Sequence, residues 1–142
     1  MAATVDNRPT GSGMPFVGQP GVTRLERRID FSATGMALIE DATMALLDIP
    51  EGSIVLGSMV KVNTAQATIT SIDLGLSATG ANNTGLQSTI DVSTVGWKSD
   101  TDLPASPIPV TADTQLVVTN QDAQTLNAAD MTFVVLVSYP KQ

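Results

Sequence analysis

Apolar and polar residues alternate in short runs along this chain, and Gly, Pro, Asn and Asp divide the runs. Arg28-Ile29-Asp30-Phe31-Ser32 reads as a half-buried strand closed by Ala33-Thr34-Gly35. In MALIEDATMALL, Met36, Leu38, Ala42, Met44 and Leu46 fall on one face of an extended chain. Met36, Ile39, Ala42, Thr43 and Leu46 also fit a helical stripe. Two extended pieces broken near Glu40-Asp41 are expected, with at least one helical turn as the alternative. In LLDIPEGSIVLGSMVKV, two apolar runs flank Pro50-Glu51-Gly52-Ser53. Pro50 suits the second position of a β-turn, and Gly52 suits a last position that needs a left-handed or bulge conformation. The stretch predicts a hairpin, with Gly57-Ser58 marking a bulge or bend.

Further strands are expected over 69–76, 86–93, 114–119 and 131–139. MTFVVLVSY is apolar on both faces, which predicts a central strand covered on both sides. Residues 95–108 read as one long loop. Seven or eight strands with Gly/Pro/Asn turns and no long helix predict an all-β fold: an antiparallel Greek-key β-sandwich of jelly-roll type. An immunoglobulin-like sandwich is the other option, and the lack of a Cys…Trp…Cys pattern lowers it.

Residues 1–21 hold seven glycines and prolines, which predicts an extended N-terminal arm ahead of a sandwich domain at 22–142. Phe16 and Val17 lie inside that arm and are candidates for an apolar anchor on a neighbouring subunit. The alternatives are a disordered tail or an arm folded onto its own body. The opening residues have no apolar core of the signal-peptide kind, and the longest apolar run, Phe133–Val137, is far short of the ~20 residues of a membrane helix. No membrane partner is expected.

Composition narrows the function further. The net charge of −7 argues against nucleic acid as the main partner. The charge is uneven. Residues 1–28 carry Arg8, Arg24, Arg27 and Arg28 against Asp6 and Glu26, and the remaining twelve acids stand after residue 28. With no histidine and no cysteine, the usual general base, zinc ligands and thiol nucleophile are missing. Asp100 and Asp102 form a D-x-D without the spacing of a calcium loop. No catalytic, cofactor or metal residues are expected, and the chain does not read as an enzyme. Trp97, the one tryptophan, reads as a lid on the core, the other role being to stack on a sugar or base. Apolar residues make up 42% of the chain but aromatics only 4%, so small and β-branched side chains dominate. They suit flat, self-packing sheets, which points to a structural subunit.

The run IDFSATGMALIEDATMALLDIPEGSIVLGSMVKVNTA, followed by TADTQLVVTN and MTFVVLVSYP, resembles the capsid cement or decoration proteins of tailed bacteriophages. The resemblance spans residues 29–139. It implies a virion protein on the capsid exterior, made in the host cytoplasm, that binds the major capsid protein at subunit junctions. It also implies a homodimer or homotrimer. Phe16, Val17, Arg24, Arg27 and Arg28 are then the expected contact residues. A receptor- or glycan-binding head and a jelly-roll coat protein are the alternative functions.

Overall fold

The computed structural model describes residues 21–77, 86–98 and 108–139. Within them the chain forms nine strands: β1 (Gly21–Asp30), β2 (Thr43–Ile49), β3 (Ile54–Thr64), β4 (Ile72–Leu76), β5 (Gln87–Ile90), β6 (Gly96–Lys98), β7 (Ile108–Pro109), β8 (Thr114–Asn120) and β9 (Asp130–Tyr139). All pairings are antiparallel. One sheet runs β1-β9-β3-β6, with β7 also on β3; the other runs β2-β8-β4-β5. The fold is therefore an all-β antiparallel sandwich. The last strand returns beside the first, and successive strands pass from sheet to sheet except at β4-β5 and β6-β7.

One core fills the space between the sheets. Ile29, Val60, Val62, Met131, Phe133 and Val135 come from the first sheet, and Leu46, Ile72, Leu74, Leu116 and Val118 from the second. These residues alternate along their strands, so the period of two in the sequence becomes the inward face. Phe31 and Phe133 meet edge to face, with ring centroids 6.4 Å apart.

The expected hairpin at Pro50–Ser53 does not form. β2 pairs with β8, whereas β3 pairs with β9, β6 and β7, so the turn carries the chain across the sandwich. The local turn chemistry is as read: Gly52 has φ 92°, and the Ser53 hydroxyl donates to the Pro50 carbonyl at 2.7 Å. The turn is then held from outside. Gly52 N–H donates to Val110 O, and Val110 N–H to Ser53 O, both at 2.8 Å. Two apolar runs can bury themselves on one core from opposite sheets as well as from one, and the turn residues do not distinguish these outcomes.

Residues 36–47 form two extended pieces. Leu38 bridges Leu126, a turn at Glu40-Asp41 follows with Asp41 at φ 64°, and β2 starts at Thr43. The bulge expected at Gly57 is present, with a register shift between Val55 and Gly57 that leaves Leu56 unpaired. β9 is central, between β1 and β3. The loop expected over 95–108 instead carries β6 and β7 at its two ends, both recruited by the edge of β3. Ser32–Gly35 ends β1 with Gly35 at φ 81°.

Polar ties close the loop end of the sandwich. Asn120 is fully buried; its Nδ2 donates to Leu38 O and Gln124 O, both at 2.8 Å, and its Oδ1 accepts from Asp122 N–H. Gln66 Oε1 accepts from the N–H groups of Asn127 and Ala128. One amide oxygen thus caps two successive backbone N–H groups of the loop before β9.

Candidate interaction face

The outer face of the first sheet carries Arg24, Arg28 and Lys61. β1 is its edge strand, and its apolar residues Leu25 and Ile29 point into the sandwich. Alternation then sends Val22, Arg24, Glu26 and Arg28 outward. The register aligns them in rows across the sheet. Arg24 lies opposite Leu136, which lies opposite Gly57; Glu26 is followed by Val134 and Met59; Arg28 is followed by Thr132, Lys61 and Trp97.

Trp97 is the centre of this face. It is not a lid on the core: it stands on β6, pointing away from the core, and is 52% exposed. The β3 edge pairs its backbone, with Trp97 opposite Lys61, and this pairing determines where the ring projects. Lys61 Nζ lies 5.8 Å from the ring centroid and Arg24 Cζ 5.9 Å from it. Both lie within the ~6 Å range in which a cation is drawn to the ring face. Arg24 also pairs with Glu26 at 2.9 Å. Val134 faces away from the core, yet it is completely buried.

The expected contact residues fare differently. Phe16 and Val17 lie outside the described residues. Arg24, Arg27 and Arg28 all stand on β1, within the sandwich. Only Arg24 reaches Trp97. Arg27 turns the other way, and its Nη1 donates to Leu46 O on β2 at 3.1 Å, tying the two sheets at one edge. Leu46 is the residue skipped where the β2–β8 register shifts, so the arginine meets its carbonyl. Arg28 grips Asp130 with Nε at 2.9 Å and Nη2 at 2.6 Å. The Arg28 guanidinium, with help from the Asn63 amide, holds the Asp130 carboxyl below the usual carboxylate range, and the pair raises Arg28 in turn. Arg28 is thus a structural clasp between β1 and β9.

Charge separates between the sheets. Arg24, Arg27, Arg28, Lys61 and Lys98 are the described cations, and every one belongs to the first sheet. Among the described acids, Glu40, Asp41, Asp48, Glu51, Asp73, Asp91, Asp113 and Asp122 lie outside that sheet. A cavity of about 540 Å³ lies near the Pro50 turn, lined by Asp48, Ser77, Asp113 and Gln115 among others. Its polar groups bind one another: Asp113 accepts from Glu51 N–H, Asp48 from Gln115 Nε2, and Ser77 Oγ from Gln115 N–H. Among the described residues no group of three or more acids gathers as a metal site would require.

Sequence reasoning missed Lys61 and the outward placement of Trp97. The alternation of Val60 and Val62 with Met59 and Lys61 held the first. Nothing local held the second, because a three-residue strand is recruited by its partner.

No protein-family model and no curated protein sequence matches the chain. Solved structures do match. A chain of the acidic stable capsid structure of Helicobacter pylori bacteriophage KHP30 aligns with TM-score 0.56 and 17% identity, over 84% of this chain and 89% of its own. A chain of the cyanophage Pam1 capsid asymmetric unit aligns with TM-score 0.58 and 17% identity, over 95% of this chain and 94% of its own. A chain of the capsid of Ralstonia phage GP4 aligns with TM-score 0.57 and 10% identity, over 94% of this chain and 93% of its own. All three are phage capsids. At these identities the likeness is one of fold, and it takes in nearly the whole of each chain.

Proposed function

We propose that this chain is a structural protein of a phage virion, and more narrowly a cement or decoration protein. It binds the outside of an icosahedral head at the junctions between major capsid protein subunits and stabilises the shell. The observation that carries this reading is the near end-to-end fold likeness to chains of three phage capsids. A fold alone hosts many functions, so the composition is the second support: small and β-branched side chains, no histidine and no cysteine suit a contact-making body. The work needs no bond chemistry. Each copy must bury on the order of 1,000 Å² against the shell, and many copies on one lattice act together through avidity. A homodimer or homotrimer would add to that avidity.

Co-sedimentation with DNA-emptied shells of the same virus tests the proposal. Saturable pelleting of the intact chain is the expected result. No pelleting overturns it, as does closure of the purified chain into shells by itself. A comparison with a chain lacking residues 1–20 measures what Phe16 and Val17 contribute while leaving β1 whole.

The exposure of Trp97 favours one second reading, a glycan-binding head on the virion. Glycan-array binding that is lost in Trp97→Ala, with no affinity for shells, would put that reading first.

A further inference from the structure

Trp97 has two cations beside its exposed ring, at 5.8 and 5.9 Å from the centroid, and the two differ in their partners. Lys61 makes no ion pair among the described residues, while Arg24 shares Glu26 at 2.9 Å, with both side chains about half exposed. Around them the same face offers the partly buried Met59 and Leu136 and the exposed Val22. An open tryptophan beside arginine and methionine is the composition of a protein-binding hot spot. The rows of β1, β9 and β3 make the surface broad and sheet-like, which fits another protein surface better than a sugar ring.

We propose that the outer face of β1-β9-β3-β6, centred on Trp97 with Arg24 and Lys61, is the docking face for a carboxylate-bearing surface of the capsid shell. This rests on the function proposed above and assigns the face that meets the shell. Charge complementarity carries the choice of occupant. The described residues of this sheet carry five cations against Glu26, Asp30 and Asp130, whereas the other described residues carry eight acids and no cation, so this is the side on which an acidic partner can approach. A second copy of the same face offers Lys61 little, because its Glu26 and Asp130 are already paired with its own Arg24 and Arg28. The partner's carboxylates would sit beside Lys61 and Arg24, and an apolar side chain would cover the ring.

The sole tryptophan makes the test direct. Poly-L-glutamate is titrated into the purified chain while Trp97 emission is read, and the same proteins are pelleted with emptied shells. Four proteins are compared: wild type, Lys61→Glu, Arg24→Gln, and Ile39→Ser as a control at an exposed apolar position off this sheet. Thermal melts verify that each is folded, and Arg24→Gln, on the exposed edge strand, carries the test if Lys61→Glu is not folded. The expected result is a saturable, salt-sensitive emission change with poly-L-glutamate. The variants on this face should lose tenfold or more in both assays, with the control unchanged. Shell binding that is equal in all four proteins overturns the face while leaving the cement function standing. No shell binding by the wild type overturns the cement function and, with it, the shell as occupant. Emission that responds to heparin and not to poly-L-glutamate overturns the acidic protein in favour of an acidic glycan. Self-association in sedimentation velocity that Lys61→Glu abolishes overturns it in favour of a second copy.

Discussion

The two sheets share one core but differ on their outer faces. The outer face of β1-β9-β3-β6 carries long side chains, with Arg24 and Lys61 beside an exposed Trp97 and Arg28 clasped to Asp130. On β2-β8-β4-β5, two rows of positions facing away from the core are small: Ala45, Val117 and Gly75 lie in one, and Thr43, Thr119 and Asp73 in the other. There Val117 is 3% exposed, the hydroxyls of Thr43 and Thr119 meet at 2.9 Å, and Asp73 accepts the Thr89 N–H. The inner faces answer to the same requirement, burial, and so resemble each other. The outer faces differ, and under the docking proposed above that difference sets the face of β1-β9-β3-β6 apart.

The largest expected effect tests what the sheets share. Phe133→Ala empties a fully buried site in the first sheet and should cost about 3–5 kcal/mol; Leu116→Ala in the second should cost about 2–5 kcal/mol. Chemical denaturation showing one of them near neutral would mean that the core is not common to both sheets. Next comes the clasp of the first sheet. Asp130→Asn removes the charged acceptor of Arg28 and should cost about 1–3 kcal/mol at neutral pH.

That clasp also has a pH signature. Asp130 titrates below its unfolded value because of Arg28, so its contribution is present above about pH 4 and is lost as pH falls through the folded value. Asp91, held low by the Ser93 hydroxyl and N–H, and Asp122, held low by the N–H groups of Thr70 and Gln124, act in the same direction. Thermal melts should therefore fall steadily below pH 4, and Asp130→Asn should flatten part of that fall. An unchanged acid limb would show that the clasp does not titrate with folding.

Of similar size is the turn that joins the sheets. Nothing lies within 4 Å of a Cβ added at Gly52, so Gly52→Val tests backbone strain alone and should cost about 1–3 kcal/mol in thermal or denaturant unfolding. The smallest effect sharpens the contrast between the outer faces. Trp97→Ala should change stability by only about 0.5–1 kcal/mol, the scale of an exposed cation–π contact. A loss as large as that of a core residue would make Trp97 part of the core after all.

Much of the fold was legible because burial imposes a period of two. The inward residues of residues 36–46, the break at Glu40-Asp41, the bulge beside Gly57 and the central place of β9 all follow from local pattern and turn chemistry. The candidate face was legible only in part. Arg24 was singled out for its charge, but Arg27 and Arg28 have structural partners that lie 19 and 102 residues away in the chain. No local rule names such partners. Trp97 was misplaced for the same reason, since the edge of β3 decides where its short strand lies.

By itself, then, the sequence determined the class of fold, the positions that point inward, and the turns that need glycine or proline. These depend on backbone sterics and on the removal of apolar side chains from water, which act residue by residue. Tertiary structure alone decided that β2 and β3 belong to opposite sheets, that the described cations gather on one of them, and that Trp97 faces outward between Arg24 and Lys61. A strand carries the same hydrogen-bonding groups along both edges whatever its sequence, so the choice of neighbour is made by the packing of the whole chain.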